Sequence, residues 1–338
     1  MPLSDSSMHG NPAAVVASAA VFGSRSIPSE KIDQEFGMEI GKLRNRAGIL
    51  SVSRAVLGET EVTLAARAGQ SALAAAGIDA DSCDWLFATS ETHHTFPSLA
   101  AELHESLGLR DSCGAMDVGG ACLGLLHALA TAQSYILSGA ANRALVLTAD
   151  VHSRILTAGR VRGEFGGLFG DGATAFVIQR ASDAAPGNAF AIGGLQFGCA
   201  SQFAHAIRVD DQSDGRLEVV FEGEALSRAA ISKLTQLIGE IEARSGISRQ
   251  DVFGFATHQP NPRLVALLAK QANVPVDRFP SIAQVHGNLG SSTCAAALHH
   301  LLEASWLSNS ADTNPIFLAS LGPGLLYGGG WISSVRST

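Results

Sequence analysis

The chain has 338 residues, of which 46% are hydrophobic and 16% charged, and its formal net charge is −8. The acidic balance excludes a global basic surface of the kind that binds nucleic acid, and the lack of any run of about 18 apolar residues predicts no transmembrane helix and no membrane partner. Five scattered cysteines without C-x-x-C spacing give little support to a disulfide framework or a structural zinc site.

The amino terminus, residues 1–11, is polar and lacks a basic segment followed by an apolar stretch. Such a start predicts no signal peptide, so we expect a cytoplasmic protein. The first half then reads as helix, glycine stop and buried strand. Its predicted elements are a helix over 62–76, strands over 85–89 and 144–149, a helix over 122–138, and a strand over 173–179 after the Gly-rich turn at 169–172.

The second half repeats this order of elements. It has helices over 229–245 and 291–307, strands over 252–257 and 315–320, and a Gly-rich turn at 322–324 leading to a strand over 327–335. Helix–strand alternation of this kind favours mixed sheets covered by helices. We therefore predict two duplicated halves, 1–182 and 183–338, packed as a five-layered α/β/α/β/α protein with a shared central helix layer.

Cys122 follows a tight glycine-rich turn and is predicted to open a long helix. Backbone N–H groups and the helix dipole favour an anion at a helix start, so a thiolate there is a better nucleophile at neutral pH. For a cysteine seen alone, a buried structural role is the commoner reading. The glycines and the helix-start position make Cys122 the candidate nucleophile.

His258 stands where a buried strand ends, and Asn288 follows a glycine at the start of the second long central helix. Side chains at the carboxyl ends of strands in open sheets commonly face the ligand crevice. Taken alone, Asn288 reads as an ordinary helix cap, and His286 is a rival to His258 as the base. The Gly322–Gly324 loop can bring a backbone amide close to a reacting carbonyl, but Pro323 has no N–H to donate.

Four segments in one order resemble the β-ketoacyl-ACP synthase III family, which has a thiolase-like fold. They are 119–124 (Gly-Gly-Ala-Cys-Leu-Gly), 169–173 (Phe-Gly-Asp-Gly-Ala), 258–261 (His-Gln-Pro-Asn) and 287–288 (Gly-Asn). The resemblance covers about 27–336. It implies a Cys122–His258–Asn288 triad, with His258 and not His286 as the catalytic histidine, and places the nucleophile in the half 1–182 and its partners in the half 183–338.

The implied reaction is a decarboxylative Claisen condensation of an acyl-CoA with malonyl-acyl carrier protein (malonyl-ACP) through an acyl-cysteine. The amide of Cys122, with one from Gly322 or Gly324, would form the oxyanion hole, and no metal or redox cofactor is implied. The resemblance also implies contacts to the CoA or pantetheine arm from Arg46, Arg162 and Asn261.

Further implied features lie on the surface. Arg228, Arg263 and Lys270 match basic residues that would meet the acidic carrier protein, and Phe96 matches a residue at the subunit interface of family homodimers, near the acyl pocket. An acyltransferase or quinolone-type synthase of specialised metabolism remains an alternative on the same scaffold. A catalytically silent scaffold subunit is a third, which the retention of Cys122, His258 and Asn288 disfavours.

Overall fold

The computed structural model describes residues 11–185, 188–203, 205–214, 216–221, 223–308 and 314–335. The segment on which the signal-peptide expectation rests, 1–11, therefore lies almost wholly outside the described residues. The strands are β1 (Ala13–Phe22), β2 (Arg25–Pro28), β3 (Ser51–Arg54), β4 (Trp85–Thr89), β5 (Gly114–Asp117), β6 (Arg143–Val151), β7 (Asp171–Arg180), β8 (Phe190–Cys199), β9 (Ile207–Asp211), β10 (Leu217–Phe221), β11 (Gly254–Thr257), β12 (Ile316–Gly322) and β13 (Leu326–Ser334).

Three of the helices end at Gly77, Gly139 or Asn273, residues that tolerate left-handed backbone. Thr60 and Thr63 form a reciprocal hydrogen-bonded cap at the start of the first of these, Glu61–Ala76. The helices are α1 (Ser29–Glu35), α2 (Glu61–Ala76), α3 (Leu99–Ser106), α4 (Gly124–Ser138), α5 (Gly163–Gly166), α6 (Gly223–Ser245), α7 (Pro262–Ala272), α8 (Ile282–His286) and α9 (Ser291–Ser308).

Nine of the described strands form one continuous mixed sheet in the order β11-β12-β13-β8-β1-β7-β6-β4-β5. The pairs β4–β5, β4–β6 and β11–β12 are parallel, and the other neighbours in the sheet are antiparallel. The strands of the two halves, predicted as separate sheets, meet through a short pairing of β1 with β8, in which Ala14 faces Ala191. The pairings on either side of that junction follow the same pattern.

Three apolar clusters separate the layers. The central one joins α4 and α9 to inward-facing residues of strands from both halves, such as Phe176 and Leu318. A second lies between α2, α3 and the outer face of the first half, and a third lies between α6, α7 and the outer face of the second. Helices and strands therefore alternate in the predicted five layers. The division at 182/183 stays a prediction; it falls in the turn Ala181–Asp183, between β7 and β8.

The segment Ala121–Ser138 is long and apolar enough to cross a membrane by length and composition, and half of it is buried in the protein. Its buried face, which includes Leu125, Leu129 and Ile136, belongs to the central cluster between the two halves. Burial against sheet and helix thus accounts for its apolar composition.

Candidate active site

The turn before Cys122 has an unusual backbone. β5 ends at Asp117, and the chain then passes through Gly120 at φ 134° and Ala121 at φ 48°, the left-handed region that side chains rarely adopt. A Cβ on Gly120 would lie 2.4 Å from Nδ1 of His127, so both conformation and space require glycine there. Such local strain at a sharp turn is typical of residues held in position for function.

The second half of the chain holds this turn in place. The hydroxyl of Ser320, near the end of β12, donates a hydrogen bond of 2.9 Å to the carbonyl oxygen of Cys122. Gly322 packs so closely that a Cβ there would lie 2.9 Å from the carbonyl oxygen of Gly120. The Gly322–Gly324 loop therefore lies directly against the turn that carries Cys122. Cys122 itself is only 8% exposed.

The expectation that Cys122 opens the helix is wrong in its detail. Cys122 lies in a 3-10 turn, Ala121–Leu123, and the α-helix begins at Gly124. Burial raises the pKa of the Cys122 thiol well above its ordinary value, and the carboxylates of Glu91 and Asp150 raise it further. The predicted thiolate-favouring effect of a helix start is outweighed, and the resting side chain is a thiol.

His258 follows β11 and is 9% exposed. Burial lowers the pKa of His258 to about 4; the charge of Glu91 opposes this shift and that of His152 adds to it. The imidazole is therefore neutral at pH 7. Its Nδ1 is buried without a hydrogen-bond partner among the described residues. A neutral imidazole in this setting can donate or accept one hydrogen bond at a substrate atom.

Asn288 is 5% exposed, and hydrogen bonds hold both its backbone and its side-chain oxygen. Its backbone N–H donates to Leu168 O at 2.8 Å and its carbonyl accepts from Gly170 N at 2.9 Å. Its side-chain Oδ1 accepts from Gly290 N at 3.0 Å and from the Thr293 hydroxyl at 3.1 Å. Since the amide oxygen is occupied twice, the NH₂ group is the end of this carboxamide left to donate.

The rival histidine, His286, is engaged elsewhere. Its ring stacks on Phe22 with centroids 3.7 Å apart, and its Nδ1 lies 2.8 Å from the hydroxyl of Ser53. Both contacts fix the ring in a structural position between β1 and β3.

Two residues that do not stand out in the sequence join the site. Glu91 follows β4 and His152 follows β6, the same strand-end position that identified His258. Nε2 of His152 lies 3.7 Å from Oε2 of Glu91, and a Cβ on Gly290 would lie 2.7 Å from Cε1 of His152. Glu91 interacts electrostatically with both Cys122 and His258, so these groups share one buried space beside the Asn288 turn.

Two of the three residues expected to bind the CoA arm, Arg46 and Asn261, lie near α7. Arg46 is exposed in the π-helical turn Leu43–Ala47. Gly48, just after that turn, packs on Pro262, and Arg263 donates to Asn45 O at 3.2 Å. Asn261 caps α7, its side-chain oxygen accepting from Leu264 N at 3.0 Å.

Arg162 is exposed just before α5. Its neighbour Glu164 forms an ion pair of 2.5 Å with Lys42, which joins the glycine-rich segment to the turn that carries Arg46. Arg228 on α6 is exposed, as are Arg263 and Lys270 on α7, and α6 packs against α7.

Beside His258 lies a cavity of about 40 Å³ with a mainly apolar lining, most of it from α6 and α7, including Ile231 and Leu264. In the loop between β4 and α3, the Phe96 side chain is 98% exposed.

Comparison with known proteins gives consistent matches. The sequence model of the 3-oxoacyl-[acyl-carrier-protein] synthase III family matches residues 116–194, and the family model of the C-terminal region of these enzymes matches residues 243–333. A β-ketoacyl-[acyl-carrier-protein] synthase III of Cereibacter sphaeroides is 33% identical over 280 residues, covering 81% of this chain and 85% of the relative.

Two solved structures show the same fold. The 3-oxoacyl-[acyl-carrier-protein] synthase III of Aquifex aeolicus has a TM-score of 0.84 at 23% identity, covering 95% of this chain and 99% of that one. The priming β-ketosynthase of the R1128 polyketide pathway has a TM-score of 0.85 at 24% identity, covering 97% of each chain. At this identity the likeness bears on the fold alone, and it confirms the predicted thiolase-like architecture.

Proposed function

The chain belongs to the 3-oxoacyl-[acyl-carrier-protein] synthase III family of condensing acyltransferases, and from this premise we propose that Cys122, His258 and Asn288 carry out its decarboxylative Claisen condensation. The substrates are an acyl-CoA, which loads Cys122, and malonyl-ACP, which extends the acyl group. The half 1–182 supplies the nucleophile and the half 183–338 its two partners. The reaction needs no metal ion or redox cofactor.

The observation that carries this proposal is the orientation of Asn288. Two hydrogen bonds occupy its Oδ1, which supports the assignment of the NH₂ group as the donor to the substrate. The neutral imidazole of His258 supplies a second donor. When the malonyl thioester loses CO₂, its carbonyl oxygen becomes an enolate, and two preorganised donors in a buried site stabilise that charge.

The acyl-transfer step uses the Cys122 turn. The sulfur attacks the thioester carbonyl, and the amide of Cys122 with that of Gly322 or Gly324 stabilises the oxyanion. The close packing of Gly322 on the Gly120–Leu123 turn supports this arrangement, since a Cβ there would lie 3.5 Å from Leu123 N. Pro323 supplies no donor.

We propose that the substrate arm enters between α6 and α7. The apolar cavity beside His258 suits the methylene groups of pantetheine, with Asn261 as a polar contact. Arg46 and Arg162 would bind the phosphates of CoA at the surface. Because CoA thioesters and acyl carrier protein are its proposed substrates, we place the enzyme in the cytoplasm.

Acyl carrier protein is acidic, and Arg228, Arg263 and Lys270 offer exposed positive charge on the two helices that frame this entrance. We propose that they guide the carrier protein to the site. We also propose a homodimer in which Phe96, almost fully exposed in the single chain, inserts into the partner subunit.

The test is incubation of the pure protein with a panel of acyl-CoAs and malonyl-ACP, followed by mass spectrometry of the products. We expect a β-ketoacyl-ACP two carbons longer than the acyl group, with CO₂ released. Cys122→Ala should abolish enzyme acylation, whereas His258→Ala should retain part of it and block decarboxylation. An acylated Cys122→Ala protein, or CO₂ release without a new carbon–carbon bond, would contradict the proposal; acyl transfer to another nucleophile would favour the acyltransferase alternative.

A further inference from the structure

Glu91 is a carboxylate fixed beside the nucleophile. It follows β4, and its backbone N–H donates a 2.6 Å hydrogen bond to Oδ1 of Asp150. Its side chain is 17% exposed and points toward His152, with Oε2 3.7 Å from the imidazole Nε2. The other oxygen, Oε1, is buried and has no hydrogen-bond partner among the described residues. A buried, unpartnered carboxylate oxygen is costly, which calls for a reason.

The charges around Glu91 keep it ionised. Burial raises the pKa of its carboxyl, but His152 outweighs that effect, with smaller contributions from Cys122 and His258, and holds the pKa of Glu91 below its ordinary value. Burial alone would lower the pKa of His152. The negative charges of Glu91, Asp150 and Asp171 outweigh burial and raise the pKa of His152 to about 9. The pair is thus an imidazolium and a carboxylate at neutral pH, next to a Cys122 side chain that rests as a thiol.

We propose that Glu91 is a catalytic acid–base that accepts the thiol proton of Cys122 during acyl transfer, with His152 as its charge partner. This rests on the proposed function, which it deepens by assigning the proton of the first half-reaction. Proton transfer through direct contact or one water is compatible with such a placement, since these contacts often tighten only when substrate binds.

The step balances. The S–H proton of Cys122 moves to Glu91 as the sulfur forms a bond to the acyl-CoA carbonyl carbon. The tetrahedral oxyanion collapses, the bond from that carbon to the CoA sulfur breaks, and the protonated Glu91 gives its proton to the departing CoA thiolate. The products are acyl-Cys122, CoA as a free thiol, and Glu91 again ionised.

His258 is poorly suited to this proton. Its proposed task in the second half-reaction requires the neutral ring as a hydrogen-bond donor to the enolate oxygen. Glu91 and His258 therefore divide the work: one handles the thiol proton and the other the enolate oxygen.

Two measurements on Glu91→Gln distinguish a base from a mere neighbouring charge. The first is the single-turnover rate of Cys122 acylation by acyl-CoA, followed by intact mass between pH 6 and 9. The second is the alkylation rate of Cys122 by iodoacetamide over the same range, which reports the thiolate fraction. Glu102→Gln is the matched control, because Glu102 also pairs with a histidine, His93, at 3.5 Å.

We expect the two rates to move in opposite directions. Removing the negative charge lowers the thiol pKa, so alkylation of Glu91→Gln should accelerate, whereas acylation should slow by about 100-fold or more and should acquire a rise with pH that the wild type lacks. Glu91→Asp should recover part of the acylation rate, and Glu102→Gln should match the wild type in both assays.

If acylation of Glu91→Gln accelerates together with alkylation, Glu91 acts only through its charge and the inference is wrong. An unchanged acylation rate overturns it equally. If the wild type itself is not acylated at Cys122 by any acyl-CoA, the proposed function fails instead, so the two failures are distinguishable.

Discussion

Replacing Asn288 by aspartate separates the chemistry of this side chain from its structural role. Oδ1 accepts hydrogen bonds from Gly290 N at 3.0 Å and from the Thr293 hydroxyl at 3.1 Å. An aspartate oxygen can accept both, so the turn before α9 keeps its contacts. The remaining oxygen, in place of the NH₂ group, cannot donate to the enolate when ionised, and its negative charge opposes the charge that develops there.

The expected effects differ sharply in size. Loss of one preorganised donor to a developing oxyanion typically lowers the rate about 100- to 1,000-fold, or roughly 3 to 4 kcal/mol of transition-state stabilisation. The fold should lose little, since both acceptor bonds survive. Asn288→Ala instead leaves two buried donors unsatisfied, which costs about 1–3 kcal/mol each in stability.

The assay combines three readings on one preparation: intact-mass acylation of Cys122, CO₂ release from malonyl-ACP on the acylated enzyme, and thermal unfolding. Asn288→Asp should acylate normally and fail at CO₂ release. Thr293→Val, which removes a neighbour of the carboxamide but leaves its NH₂ group, is the control; it should lose stability and retain most of the decarboxylation rate. If Asn288→Asp releases CO₂ at the wild-type rate, the donor role is refuted.

Three other outcomes follow from exposed or buried groups. Phe96→Asp should yield a monomer by sedimentation velocity, and a wild-type protein that is itself monomeric would contradict the dimer. Lys270→Glu should raise KM for malonyl-ACP by about three- to tenfold without changing acylation by acyl-CoA; an unchanged KM would remove this residue from the patch. Because burial lowers the pKa of His258 to about 4, below its unfolded value near 6.5, the unfolded chain binds a proton there that the native state does not. The free energy of unfolding should fall by up to about 3 kcal/mol as pH drops from 6.5 to 4, and His258→Gln should show a shallower slope in urea titrations.

Most of the fold was predictable because its signals are local. The strand predicted over 85–89 is β4, and the helix predicted over 62–76 is α2 with one more residue at its start. Glycine stops and capping residues mark these ends. The joining of the two halves through β1 and β8 has no such signal, since a pairing such as Val15 with Phe190 depends on how the packed layers meet.

The site divides in the same way. The sequence marks Cys122 by its glycine turn, but the pKa of its thiol depends on burial and on carboxylates that arrive from β4 and β6. A helix-start argument therefore gave the wrong direction. The residues alone left His258 and His286 as rivals, and the family resemblance favoured His258. In the structure the ring of His286 stacks on Phe22 and contacts Ser53.

The position of Glu91 has a counterpart in the other half. β4 and β11 hold equivalent places in the sheet. β4 pairs in parallel with β6, which pairs antiparallel with β7, and β11 pairs in parallel with β12, which pairs antiparallel with β13. Both β4 and β11 end in Phe-Ala-Thr. His258 is the first residue after the threonine that ends β11, and Glu91 is the second residue after the threonine that ends β4. Cys122 and Asn288 likewise stand before the equivalent helices α4 and α9. The proposed reaction needs two different tasks, one for a proton and one for a hydrogen bond to the enolate. A framework with two equivalent strand ends can assign the proposed acid–base, Glu91, to one and the proposed neutral donor, His258, to the other.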